Sequence, residues 1–136
     1  VNLKKGAKNL LTYLQREGIP IALATSSVES RARMILDSNG ILSLFDHLVF
    51  AKDVKRSKPY PDIFLKACSD LNVLPENCLV LEDSEAGIEV ASRARIPVIC
   101  IPDLKIPAQS FLNKTEQVFQ DLDAVRDYLE SKKEVF

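Results

Sequence analysis

Glu82 and Asp83 are adjacent carboxylates that follow the short apolar run Cys78-Leu79-Val80-Leu81. Ser84 and Glu85 then open a stretch whose apolar stripe continues through Val90, Ala91 and Ala94, so the expected local order is strand, acidic corner, helix. Two neighbouring carboxylates repel each other and are costly to keep ionised unless a cation offsets them, and oxygen ligands suit a hard ion such as magnesium. The same residues also suit a helix cap, because Asp83 and Ser84 are favoured types there and negative charge complements the positive end of the helix dipole. On this stretch alone, capping outweighs metal binding.

Two further corners carry usable chemistry. The apolar run Ile19 to Ala24 ends abruptly in Thr25-Ser26-Ser27, a hydroxyl cluster followed by a helical pattern with Val28, Ala32, Ile35 and Leu36 on its inner face. His47 to Phe50 predicts a short strand, after which Lys52, Lys55, Arg56 and Lys58 crowd a loop closed by Pro59-Tyr60-Pro61-Asp62. The first three cations read as a solvated loop. Lys58 differs because prolines on its carboxyl side stiffen the backbone, and Pro61 fits the first position of a helix that turns Ile63, Phe64, Ala67, Cys68 and Leu71 inward.

The elements that must hold these corners follow from periodicity. Leu3, Ala7, Leu10, Leu11 and Leu14 recur at helical spacing, with Gly18 as a stop. Ile96 to Ile101 predicts a buried strand ending at Pro102-Asp103, the next segment reads as irregular, and Gln117 to Phe119 predicts a last short strand. Asp121 caps a final helix with Leu122, Val125, Tyr128 and Leu129 inward. Alternating strands and helices predict a three-layer, Rossmann-like α/β fold, a parallel sheet with helices on both faces.

The 136 residues suit one domain. A formal charge of -1, from scattered charges, gives no electrostatic case for nucleic acid or an anionic membrane. No apolar run approaches a membrane span and no stretch reads as a secretory signal, so a cytoplasmic location is expected. Cys68, Cys78 and Cys100 lack paired or metal-ligand spacing and read as reduced core residues. The sole histidine, His47, has no partner for nucleophilic catalysis.

In an open parallel sheet, ligands sit outside the carboxyl ends of the strands, which brings Thr25-Ser26, Lys58 and Glu82-Asp83 to one edge. A hydroxyl donor, a fixed cation and a carboxylate pair able to hold metal are together what a phosphoryl group needs, since its catalysis is mostly positioning and charge neutralisation.

The strings Ala22-Leu23-Ala24-Thr25-Ser26-Ser27, Ser57-Lys58-Pro59-Tyr60-Pro61-Asp62-Ile63-Phe64 and Leu81-Glu82-Asp83-Ser84-Glu85-Ala86-Gly87-Ile88 resemble the second, third and fourth motifs of the haloacid dehalogenase-like hydrolases, in wording closest to the beta-phosphoglucomutase-like phosphatases and mutases. The resemblance runs from Gly6 to about Asp103. It implies that Thr25 hydrogen-bonds the transferring phosphoryl group, that Ser26 adds its backbone amide, and that Lys58 neutralises charge on that group and on the attacked aspartate. It further implies that Asp83 holds Mg2+ with Glu82 as a direct or water-mediated partner, reversing the preference for a simple cap. The substrate implied is a small phosphorylated metabolite; phosphatase and mutase are not separated, and dehalogenase activity is disfavoured by the metal-holding pair.

One departure stands out. The family carries an aspartate nucleophile and, two residues on, an acid/base aspartate at the end of its first strand, followed by a helical cap. Residues 1-136 contain neither that strand nor the cap, so the expectation is a partial core domain of a longer enzyme, lacking the central first strand between those ending at Thr25 and Asp83. Asp121-Leu122-Asp123 has the spacing of the nucleophile motif but sits on a helix start rather than a strand end. The chain alone is expected to be inactive, and to self-associate or be complemented by the missing amino-terminal segment. Two alternatives remain: a non-catalytic module binding phosphate, metal or a partner protein on the same scaffold, and an unrelated doubly wound domain. The lack of a glycine-rich phosphate loop and of an acidic cluster near the first strand counts against the latter.

Overall fold

A computed structural model describes residues 4–102 and 105–133. Leu3 and Asp103, assigned above to the first helix and to a strand end, lie outside them. Among the described residues the order is α1 (Ala7–Arg16), β1 (Ala22–Thr25), α2 (Glu29–Ser38), β2 (His47–Phe50), α3 (Asp62–Leu71), β3 (Val80–Glu82), α4 (Glu85–Arg93), β4 (Val98–Cys100), α5 (Gln109–Leu112), β5 (Gln117–Val118) and α6 (Leu122–Lys133). All strand pairings are parallel, as expected for strands joined by helical crossovers.

The strands alternate their side chains between two cores, as a period of two requires. Val98 and Cys100 of β4 join Ile63, Phe64 and Cys68 of α3 and Ile88, Val90 and Ala91 of α4 on one face. Ile99 and Ile101 meet Leu10 of α1 and Val125 of α6 on the other, where Leu81 of β3 also packs. Helices therefore cover both faces, and the three-layer expectation holds. Each fully buried isoleucine or valine contributes roughly 1.5–3 kcal/mol through lost contact with water.

Hydrogen bonding divides the strands into two sets, β1 with β2, and β3 with β4 and β5. Ala24 of β1 and Val80 of β3 nevertheless pack against the same core cluster, so the two sheets share one interior. Strand β4, paired on both sides, is buried throughout, whereas β1 and β3 are half-buried along their whole lengths.

Several local expectations shift. Val28 does not face inward: it precedes α2 as its N-cap and is 70 % exposed, leaving Ala32 and Leu36 to bury that helix. Pro61 is the N-cap of α3 rather than its first helical residue. The segment read as irregular contains α5, whose four residues are too few to show a period. Strand β3 starts at Val80 and ends at Glu82, two residues later than the apolar run begins, so Glu82 is the last strand residue rather than part of the corner.

Candidate functional site

The parallel arrangement places three chain reversals at carboxyl ends of strands: Thr25 closes β1, the loop leading to Lys58 follows β2, and Glu82 closes β3. Lys58 and Glu82 meet across the two sheets, with Lys58 Nζ 4.0 Å from Glu82 Oε2 and both side chains largely covered. The Lys58 ammonium also stands 5.8 Å from the centroid of the Phe64 ring, a position that favours a cation over the ring face.

Glu82 is held in place by its own corner. Its Oε1 accepts the Asp83 backbone N–H at 3.0 Å and the Ser84 hydroxyl at 3.4 Å. Burial pushes the Glu82 carboxyl above its ordinary range, and the Lys58 charge opposes that rise. Asp83 lies beside a different cation, with its Oδ2 3.5 Å from Lys4 Nζ, and its side chain is 40 % exposed. Ser84 caps α4 by accepting the Gly87 N–H at 3.1 Å. The N-cap of α4 is therefore Ser84 rather than Asp83, while both oxygens of Glu82 face partners, Oε1 within its own corner and Oε2 toward Lys58.

Thr25 is oriented locally. Its Oγ1 accepts the Ser27 N–H at 3.1 Å, which leaves the hydroxyl proton available to donate. Ser26 is exposed beside it. Neither makes a direct bond to Lys58, Glu82 or Asp83, so the contacts join Lys58 to Glu82, and Thr25 and Ser26 share only the strand-end edge. Of the loop cations, Arg56 pairs with Asp62 at 3.0 Å and lies over Tyr60, and Lys52 pairs with Glu29; both are surface ion pairs.

Two residues not singled out in the sequence adjoin the acidic corner. Lys4 reaches Asp83, and Lys105 joins Asp83, Ser84, Glu85, Ala86 and Pro107 in lining a cavity of about 380 Å3. Glu85 steadies that wall by accepting the Ala108 N–H at 2.8 Å. No local pattern marks either lysine, because both are brought there from distant parts of the chain. Cys100, opposite Glu82 in the β3–β4 register, has its thiol pushed up by burial and by the Asp83 and Glu82 charges, which suits it to the core and not to nucleophilic attack.

Among the described residues no three His, Cys, Asp or Glu side chains converge as a closed metal cage. The chemistry of the donor set would suit magnesium, which keeps several waters and takes one or two carboxylates together with substrate phosphate, with Asp83 and Glu82 as the residues that would hold it.

The strands are parallel and covered by helices on both faces, an α/β fold, and the comparisons with known proteins assign its family. Residues 1–101 match the family model of the haloacid dehalogenase-like hydrolases, and the chain belongs to that family. It is 38 % identical over 121 residues to validoxylamine A 7'-phosphate phosphatase of Streptomyces hygroscopicus subsp. limoneus, covering 89 % of this chain and 56 % of that one. It is 37 % identical over 125 residues to a bifunctional riboflavin kinase/FMN phosphatase of Arabidopsis thaliana, covering 89 % of this chain and 32 % of the other. A crystal structure of beta-phosphoglucomutase from Clostridium difficile superposes with a TM-score of 0.80 at 29 % identity, over 96 % of this chain and 56 % of that one. The chain thus spans about half or less of the length of these relatives. No helix among the described residues is long and apolar enough to cross a membrane.

Proposed function

We propose that this chain supplies the phosphate- and metal-contacting side of a magnesium-dependent phosphatase or phosphomutase that acts on a small phosphorylated metabolite through an aspartyl-phosphate. The observation that carries this is the Lys58–Glu82 contact, which ties the loop after β2 to the carboxyl end of β3 beside Asp83. In this reading the Thr25 hydroxyl donates to a phosphoryl oxygen, the Ser26 backbone N–H adds a second donor, and the Lys58 ammonium offsets charge on the group being transferred. Asp83, with Glu82 directly or through water, would hold Mg2+, which when bound neutralises phosphoryl oxygens. Relatives named for phosphatase activity on validoxylamine A 7'-phosphate and FMN support a small phosphorylated substrate. Three free cysteines fit a reducing, cytoplasmic setting.

In the same reading residues 1-136 form a partial core, and the attacking carboxylate arrives on a strand that pairs with both β1 and β3. The division of hydrogen bonding between β1 and β3, and a span of about half the relatives' length, support this. The chain alone, given Mg2+ and p-nitrophenyl phosphate, is expected to show no turnover. Joined to a segment carrying the nucleophile strand and cap, it should turn over substrate, and Lys58→Ala or Asp83→Ala should each reduce kcat by about 100-fold or more, the usual cost of losing a preorganised charge partner. Turnover that survives both substitutions overturns the assignment.

A further inference from the structure

A second concavity lies away from the acidic corner, between α1 and α6. It has a volume of about 180 Å3 and is lined by Lys8, Asn9, Thr12, Tyr13, Arg16 and Arg126, sharing no residue with the cavity beside Asp83. The two helices begin side by side: the Leu122 N–H donates to the Lys5 carbonyl at 3.1 Å, and a Cβ added to Gly6 would meet the Asp123 backbone nitrogen at 2.6 Å. From that shared start, positions 8, 12 and 16 recur one turn apart on α1 and set a cation at each end of a hydroxyl.

Three positive side chains face this one small space in a chain whose net charge is -1. Lys8, Arg16 and Arg126 make no ion pair among the described residues, whereas most other basic side chains around the fold have a carboxylate partner. Arg126 is the most telling. Its guanidinium carbon lies 5.5 Å from the centroid of the buried Tyr13 ring, and its Nε is buried with no hydrogen-bond partner. A buried donor without an acceptor is costly, so the fold retains this arrangement at a loss unless something accepts from the guanidinium.

We propose that the cleft between α1 and α6 is a binding site for a phosphate-type oxyanion, held by Arg126 with Lys8 and Arg16. A planar guanidinium fixed against a ring presents parallel donors that match two oxygens of a phosphate, and Thr12 and Asn9 supply neutral donors around it. The cavity is smaller than the roughly 300 Å3 at which sites for drug-sized ligands begin, so the ligand is a compact anion, either free phosphate or the terminal phosphoryl group of an ester.

The test is a titration of the 15N-labelled full chain, in a Lys58→Ala background that weakens the first site, with inorganic phosphate and in parallel with phenyl phosphate. Saturable shifts of the Asn9, Thr12, Tyr13 and Arg126 amides are expected, weakened at least tenfold by Arg126→Gln and several-fold by Arg16→Gln. Saturation by both compounds identifies a phosphoryl ester as an acceptable ligand, and saturation by inorganic phosphate alone identifies the free ion. Lys8 and Arg16 are exposed, so Arg16→Gln and Lys8→Gln report on binding even where Arg126→Gln fails to fold. Shifts that sodium chloride reproduces at equal ionic strength, or that are indifferent to Arg16→Gln and Lys8→Gln, overturn the proposal.

Discussion

Gly87 and Glu82 are in direct opposition: a Cβ placed on Gly87 would come under 3.0 Å from the Glu82 side-chain carboxyl carbon, so the first turn of α4 closes against the carboxylate that ends β3. Glycine at this position leaves room for the Glu82 side chain to fold back onto its own corner and accept from Asp83 and Ser84.

Gly87→Ala should therefore act against the helix scale. Propensity alone favours alanine by about 1 kcal/mol inside a helix, while overpacking costs roughly 1–3 kcal/mol. The expected outcome is a net destabilisation of about 1 kcal/mol in urea denaturation, with Glu82 displaced from the Asp83 N–H. A stabilised variant would show that Glu82 swings aside freely.

Ser84→Ala removes the acceptor for the Gly87 N–H and should cost about 1 kcal/mol, the usual penalty for losing a side-chain N-cap. Ser84→Asp keeps an acceptor and should retain most of that stability, which the same denaturation series would reveal.

Lys58→Met removes the charge that opposes burial at Glu82. With burial left unopposed by that charge, the Glu82 carboxyl should titrate at still higher pH, followed through the 13C shift of its side-chain carboxyl. A downward or null movement would mean that Lys58 does not act on Glu82.

Asp121 sits below the ordinary carboxylate range because it accepts the Ala124 N–H at the start of α6, with Lys5 nearby adding to the effect. A carboxylate whose pKa is lower in the folded state contributes stability above its unfolded value, near 3.9, and loses it as pH falls through the folded value. Asp121→Asn should flatten this acid limb of the stability curve, measured as the urea midpoint at successive pH values below about 4.

Burial, together with a hydrogen bond and charge interaction from Cys78, pushes the Cys68 thiol up to about 12. Native protein at pH 8 should leave Cys68 unalkylated by iodoacetamide while unfolding exposes it, with peptide mass analysis as the readout. Rapid labelling of Cys68 in the folded chain would contradict its place in the core.

Much of the fold was legible because parallel strands covered on both faces leave continuous apolar runs. His47–Phe50 coincides with β2, and Val98–Cys100 falls within the run from Ile96 to Ile101. Asp121 was identifiable as a cap from its place before a helical stripe, and it does cap α6. Boundaries were less legible, since an apolar run continues past the residues that pair: Ile19 lies in such a run but is 45 % exposed and precedes β1.

The sequence by itself determined the alternation of strand and helix and the residue types at each corner, because periodicity and capping act over a few residues. Only the tertiary structure decided that Lys58 meets Glu82, that Lys4 rather than Lys58 stands beside Asp83, and that Arg126 shares a cleft with Lys8 and Arg16. Those relationships join positions far apart in the chain, and they depend on how helices pack across a sheet, which no local pattern encodes.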